Sequence, residues 1–441
     1  MMRCQQACLC GAIGFVMCVI VTPFVEAGWT ITPRGSMLLI AGPVTNIREL
    51  SGVTYLGPVA GGLERFAAIQ DENNRFVVFD VAFAADGSIN SATAVNAKTL
   101  AVAADMEGIA YTSAARDSVF ISDETGAGVR EFSMATGQVL QTVPIPTVFQ
   151  SDRSNRGLES LTRSLDGRTM WTGNEEALTI DGPASSQAAG TMVRLLRMAD
   201  DGTNVTAGAQ YAYLVDPIQA GSGPDRSGLS DLTLLPDDSL LALERSRVTS
   251  LPMVQSRIYQ VDFSTATDVS AAAFNSGLIG KTYTPVTKTP LWSGIVGAGE
   301  NMEGLGLGPV LANGHWILLG VTDDAGLGLN RIASFELSLG GCGTAGDFNC
   351  DGNVDEADYR LWKNTFGSTK ALAADGNGDG EIDAADYTIW RDHTSAAAGE
   401  AAEAEGKALP EPTAWVSAVG GLLALLARRE FCRRGSPRLG T

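Results

Sequence analysis

Carboxylates recur in this chain at matching places, with arginines beside them. Glu49, Glu107, Glu159, Asp231 and Glu303 each precede or open a short apolar run. A second set follows one strand later: Asp71-Glu72, Asp123-Glu124, Glu175-Glu176, Glu244 and Asp323-Asp324. Arg48, Arg75, Arg156 and Arg245 adjoin several of them. Acids held that close repel unless protonated, paired or bound to a cation. An all-oxygen donor set suits Ca2+. Calcium with guanidinium groups nearby suits a phosphorylated substrate: the cation offsets the phosphate charge, arginine grips it with two parallel bonds, and an activated water attacks. These residue types make Glu159, Arg156, Glu107, Glu303, Glu49 and Asp231 the candidate catalytic set. Glu72, Asp123, Glu124, Glu175, Glu176, Glu244 and Asp323 are candidate calcium ligands. The alternative is that the acids cap strand ends or pair with arginines to seal junctions between repeats.

The elements that position these acids are short strands. The fullest copy is Asn155–Leu178: a carboxylate, an apolar strand, the turn Leu165-Asp166-Gly167-Arg168, a strand through Trp171, then Glu175-Glu176. The first-strand acids are spaced by 58, 52, 72 and 72 residues. Runs such as Phe76–Asp80, Val193–Met198 and Arg257–Asp262 read as strands, and Ala85-Asp86-Gly87 and Asp200-Asp201-Gly202 as tight turns between antiparallel neighbours. A degenerate repeat of roughly 50–70 residues built from short strands predicts an all-β radial fold, a β-propeller. Five units are visible. Six blades are favoured, the sixth lying in 245–300 or closed from both termini. Arg331–Leu339 is the expected closing strand, pairing near Ser36–Ile40. If every unit starts at the same depth, the first-strand acids ring one mouth of the central channel.

At 441 residues more than one domain is expected. A net charge of −19 argues against nucleic acid, whose phosphates would be repelled. Two histidines, His315 and His393, exclude a multi-histidine zinc site. No G-x-S-x-G elbow, P-loop or dinucleotide fingerprint occurs. The seven cysteines, at 4, 8, 10, 18, 342, 350 and 432, leave 28–341 without a disulfide framework.

Residues 342–394 change character. Asp347, Asn349, Asp351, Asn353, Asp355 and Asp358 stand at positions 1, 3, 5, 7, 9 and 12 of one loop, and Asp375, Asn377, Asp379, Glu381, Asp383 and Asp386 at those of a second, 28 residues on. Position 6 is Gly in both, for the sharp turn of a calcium loop, and position 7 offers its backbone carbonyl. A helical stretch with an aromatic pair follows each loop, Tyr359 with Trp362 and Tyr387 with Trp390. Two such loops ending in Asp resemble a type I dockerin. The resemblance implies two Ca2+ and a cohesin-like protein partner. Positions 10 and 11, Glu356-Ala357 and Ala384-Ala385, lack the hydroxyl pair of cellulosomal dockerins, and a calcium-stapled spacer is the alternative reading. Cys342 and Cys350 are close enough in sequence for a local disulfide in an oxidising compartment.

Residues 1–27 hold Arg3, an apolar run and Val25-Glu26-Ala27, and predict a cleaved secretory signal. Residues 395–409 form an Ala/Glu linker. In 410–429, Pro410-Glu411-Pro412 is followed by an apolar run and Arg428-Arg429, ahead of a basic tail, 430–441. This order resembles the PEP-CTERM sorting tail. It implies export to the surface or envelope of a Gram-negative-type bacterium, with transient membrane anchoring.

Across the large region, 28–341, Glu49-Leu-Ser-Gly, Met106–Ala110, Asn155–Glu159, Asn174–Glu176, Gly228–Leu232, Leu243–Ser246 and Glu303-Gly-Leu resemble the phytase-like esterase family. That resemblance implies a β-propeller and calcium-assisted hydrolysis of a phosphorylated or ester substrate. A non-catalytic propeller that binds a surface polymer or protein is the competing expectation.

Overall fold

The computed structural model describes residues 28–71, 73–219, 226–248, 253–323, 330–340 and 344–394. The expected signal (1–27), linker (395–409), sorting segment (410–429) and tail (430–441) lie outside them, as do Glu72, Asp324 and Cys342.

The chain starts with β1 (Trp29–Leu39) and then lays down antiparallel sheets in turn. Blade I is β2 (Leu50–Val59), β3 (Leu63–Gln70), β4 (Arg75–Phe83) and β5 (Ile89–Thr99). Blade II is β6 (Met106–Tyr111), β7 (Ser118–Asp123), β8 (Gly128–Ser133) and β9 (Val139–Val143). Blade III is β10 (Thr162–Arg163), β11 (Thr169–Gly173), β12 (Thr191–Asp200) and β13 (Val205–Val215). Blade IV is β14 (Arg226–Leu234), β15 (Leu240–Val248), β16 (Met253–Asp262) and β17 (Thr287–Ile295). Blade V joins β18 (Asn301–Val310), β19 (Trp316–Asp323) and β20 (Arg331–Leu339) to β1.

The expectation of six blades is thus corrected to five four-stranded sheets among the described residues. Residues 245–300 hold no extra repeat. They finish β15 and supply β16, β17 and the irregular stretch 263–286 of blade IV, which lengthens that repeat. The ring closes where Arg331–Leu339 meets β1, with Leu38 opposite Ile332 and Trp29 opposite Leu339. N- and C-terminal segments therefore share one blade, and neither can leave without opening the ring.

Each blade junction carries an apolar cluster. Phe120, Phe149, Met170 and Leu196 join blades II and III, and Leu50, Phe66, Leu319 and Ile332 join blades V and I. Burying one such side chain contributes about 1.5–3 kcal/mol. Middle strands lie between two neighbours, so β7 is buried throughout, whereas outermost β5 and β9 are largely exposed. Innermost strands crowd the axis. A Cβ on Gly108 would collide with the backbone of Leu161, and one on Gly304 with the carbonyl of Ser51.

The second module has two helices, α1 (Glu356–Thr365) and α2 (Ala384–His393), around Trp362, Trp390, Tyr359 and Ile382. It rests on the end of the propeller where β10–β11 and β14–β15 turn. Arg360 pairs with Asp238 at 2.9 Å, Lys363 with Asp166 at 3.0 Å, and Asn364 Nδ2 donates to Pro236 O at 2.8 Å. No described helix is long and apolar enough to cross a membrane.

Candidate functional site

Every innermost strand departs from regular pairing at one level, where it carries one residue more than its partner. The irregularity falls between Leu50 and Val53, Met106 and Ile109, Leu229 and Asp231, and Met302 and Gly304. In blade III the bridge Leu158–Asn174 and the pair Thr162–Trp171 enclose the same extra residue. A bulge re-aims the residue it contains. Aligned on it, Ser51, Glu107, Glu159, Ser230 and Glu303 are equivalent. On the second strands, Asp71, Glu124, Glu175, Arg245 and Asp323 are equivalent. Two positions before each of the first set, Glu49, Asp105, Gly157, Gly228 and Asn301 correspond.

These positions converge on the mouth opposite the helical module. Carboxylate oxygens of Glu107, Glu124 and Glu159 lie within 4.8 Å of one another, all three residues buried. Those of Asp71, Asp105 and Glu107 meet the same limit. On the other side Arg245 is bonded to Glu303, to Glu175 at 2.8 Å and to Glu159 at 3.5 Å. Arg156 donates to Glu175 at 2.6 Å, and its buried Nε has no hydrogen-bond partner. Asn301 Nδ2 donates to Glu303 at 2.7 Å.

The electrostatics follow from burial. Desolvation, then Glu303 and Glu124, push Glu107 well above the usual carboxylate range. Desolvation, then Glu107 and Glu175, do the same to Glu159. Glu124 is pushed up to about 8 by burial and by Glu175, and Glu303 to about 7 by burial against the pull of Arg245. Burial opposes the Arg245 charge, yet Glu303, Glu175 and Glu159 hold its pKa well above the ordinary value. Glu107, Glu124 and Glu159 therefore favour their neutral form unless a cation offsets their charge. Buried, clustered, oxygen-only donors of that kind fit Ca2+.

Not every expected residue joins this cluster. Asp231 aligns with Gly304, one residue past the bulge. A one-residue offset turns a strand side chain to the other face, and its carboxylate accepts from Leu305 N at 2.7 Å and Leu232 N at 2.8 Å within the core. Burial raises its pKa well above normal. Glu244 likewise aligns with Asn174, not Glu175. It accepts from Tyr213 Oη at 2.7 Å and pairs with Lys288 between blades III and IV. Asp123 turns to Arg130. Glu176 lies beside the mouth, 3.8 Å from Arg226. Glu49 heads β2 in a left-handed conformation, φ 51°, at the position Asp105 takes in blade II. Asp323 is 3.3 Å from Asn301 Nδ2.

Asp105 and Asn301 escaped the sequence reading. The pattern that marks them is Asp105-Met-Glu107 against Asn301-Met-Glu303. Arg245 stands in the sequence only as a neighbour of Glu244, yet it is itself the mouth residue.

In the helical module both loops fold alike. Asp358 Oδ1 accepts from Phe348 N at 2.7 Å and Oδ2 from Asp355 N at 2.8 Å; Asp386 Oδ1 accepts from Gly376 N at 2.9 Å and Oδ2 from Asp383 N at 2.8 Å. Gly352 and Gly380 both have φ +90°, the turn a calcium loop needs. Trp362 Nε1 donates to Asp383 O and Trp390 Nε1 to Asp355 O, each at 2.7 Å, so each loop is held by the other half's helix. This donor set fits Ca2+. Cys350 is disulfide-bonded, and the other half-cystine lies outside the described residues.

A family model described as "Esterase-like activity of phytase" matches residues 45–326, and one described as "Dockerin type I domain" matches 345–391. No curated protein matches the chain. Solved structures with a similar fold include a luciferin-regenerating enzyme (9% identity, covering 72% of this chain and 96% of that one, TM-score 0.32). They also include a mannose phosphorylase from Leishmania mexicana in complex with phosphate ion (8%, 69% and 88%, 0.31) and a nidogen/laminin complex (9%, 72% and 100%, 0.28). Likenesses at this level carry no argument about function.

Proposed function

The chain belongs to the family described as esterase-like activity of phytase, and from that premise we propose that its acidic mouth is a calcium-dependent hydrolytic site for phosphoesters. The single observation that carries this is the meeting of Glu107, Glu124 and Glu159 within 4.8 Å, beside Arg156 and Arg245. Those three carboxylates would hold Ca2+, which supplies charge that attracts and polarises a phosphoryl oxygen. Arg156, with Nε available, and Arg245 bind and orient the anion. Glu303, fixed by Arg245 and Asn301 and raised to about 7, is suited to accept or return a proton near neutral pH. The dockerin module holds further Ca2+ in its two loops and offers a site for a cohesin-like protein. With the expected signal and sorting segments, the whole is an exported protein displayed at the cell envelope.

One observation favours the reading of a non-catalytic propeller that binds a surface polymer or protein: Arg245 already spends both terminal nitrogens on carboxylates. Purified full chain is assayed on a panel of phosphomonoesters and carboxylic esters, with Ca2+ and with chelator. Chelator-sensitive turnover supports hydrolysis. No turnover anywhere on the panel, with the mouth still loading calcium, supports binding alone.

A further inference from the structure

We propose that the two halves of the helical module divide its work: α1 clasps this chain's own propeller, and α2 carries the face that an outside protein meets. The identity of that protein as cohesin-like rests on the dockerin reading of the module, and the division of faces rests on contacts within the chain. The module repeats itself with an offset of 28 residues, so each position of α1 has a counterpart on α2. Arg360, Lys363 and Asn364 correspond to Thr388, Arg391 and Asp392. A repeat of this kind predicts equal surroundings, and the surroundings differ. Arg360, Lys363 and Asn364 are partly buried, whereas Thr388, Arg391 and Asp392 are exposed. Ala357 and Ala385 are the same residue at equivalent places, yet the first is partly buried and the second exposed, so the difference lies in what packs against each helix.

What covers α1 is the propeller. Arg360 meets Asp238 and Asn364 meets Pro236 on the β14–β15 turn, and Lys363 meets Asp166 on the β10–β11 turn. On α2, Thr388 Oγ1 donates to Ala385 O, and Arg391 pairs with Asp392, all within that helix. Two further contacts seat the module. Leu339, the last residue of β20, packs on its core, and Ser368–Lys370, between its halves, border an axial cavity of about 590 Å3 at the propeller end away from the acidic mouth. Exposed ion pairs are individually weak. With only a few residues between β20 and the first loop, however, the effective concentration of α1 at the propeller is high, and weak contacts suffice. A protein that binds α1 must displace the propeller, and one that binds α2 need not. The α2 face combines alanines with a hydroxyl and a charged pair, which suits a polar protein surface of matched charge.

Asn364→Cys and Asp392→Cys place one thiol at equivalent points of α1 and α2. The full chain, with Ca2+, is treated with a polymer-tagged maleimide whose bulk stands for an approaching protein, and the wild-type chain serves as the blank. Asp392→Cys is expected to react as an open thiol, and Asn364→Cys at least about tenfold more slowly, since it must await a local opening. Adding Arg360→Glu and Lys363→Glu to Asn364→Cys is expected to remove the difference while the chain keeps the melting behaviour of a folded protein. Equal rates in the two single variants overturn the division of faces, and a rate that the charge reversals leave slow overturns the clasp. Binding of cohesin domains, taken as a panel, is expected to survive Arg360→Glu with Lys363→Glu and to be lost in Thr388→Glu with Arg391→Glu; the reverse pattern overturns the assignment to α2. Divided rates with no cohesin domain bound keep the clasp and overturn the cohesin-like partner.

Discussion

Arg245 of blade IV stands where blade III has Glu175, and the two side chains are bonded at 2.8 Å. The backbone ring repeats five times, but its charges do not. Blade IV contributes Ser230 and Arg245 where blades II and III contribute glutamates. One side of the mouth thus becomes a cation trap and the other a guanidinium clamp. A site with two poles can hold a metal and an anion together, which a uniform ring of acids could not.

Removing that clamp exposes buried acids to one another. Arg245→Ala is expected to destabilise the chain by about 3–5 kcal/mol, because Glu303, Glu175 and Glu159 lose a buried partner. Urea unfolding in chelator measures this. Added Ca2+ should not restore the full loss, since of the three acids bonded to Arg245 only Glu159 belongs to the cation group.

Asp231 separates the structural acids from the chemical ones. Asp231→Asn is expected to cost about 1–3 kcal/mol by weakening acceptors for the Leu305 and Leu232 amides. Calcium titration of the mouth should be unchanged. A shift in calcium affinity comparable to that of Glu107→Gln would mean that the side chain reaches the mouth after all.

Close packing of the inner strands makes another demand. Gly108→Ala and Gly304→Ala place a methyl group against neighbouring backbone. Each is expected to lower stability by about 1–3 kcal/mol or more. Thermal melts read the change, and Gly182→Ala, where open space surrounds the Cβ and the backbone is not left-handed, serves as the comparison without a clash.

The pH dependence has a definite sign. Glu124 and Glu303 have folded pKa values raised to about 8 and about 7. A raised carboxyl binds its proton more tightly when folded, so its contribution is full below the unfolded value of about 4.5 and is lost as pH rises through the folded one. In chelator the melting temperature is expected to fall between pH 5 and pH 8. With Ca2+ in excess the slope should flatten, since the metal replaces the proton as counter-charge. Melts across that range, with and without chelator, decide it.

Much of this was legible in the chain. Short strands, turns and the recurrence of acids carried the propeller, and Asp and Gly spacing carried the calcium loops. Glu107, Glu159 and Glu303 were visible because each sits beside a glycine or small residue that lets inner strands approach. The rest depended on register. The bulge adds one residue to each inner strand and leaves no fixed sequence mark, so Asp231 falls level with Glu303 in the sequence although Ser230 is the structural counterpart of Glu303. The same slip hid Arg245 behind Glu244. Blade count was obscured by the excursions 175–190 and 263–286, which stretch two repeats to 72 residues against 58 and 52 in the others.

The central claim is that buried acids at one mouth hold calcium for phosphoester hydrolysis. Its most direct test is turnover of a phosphomonoester panel by the full chain, with Ca2+ and with chelator, beside Glu159→Gln. The expected result is turnover that chelator abolishes and Ca2+ restores, and a fall of at least about tenfold in kcat/KM in the variant. Turnover indifferent to both chelator and Glu159→Gln would contradict it.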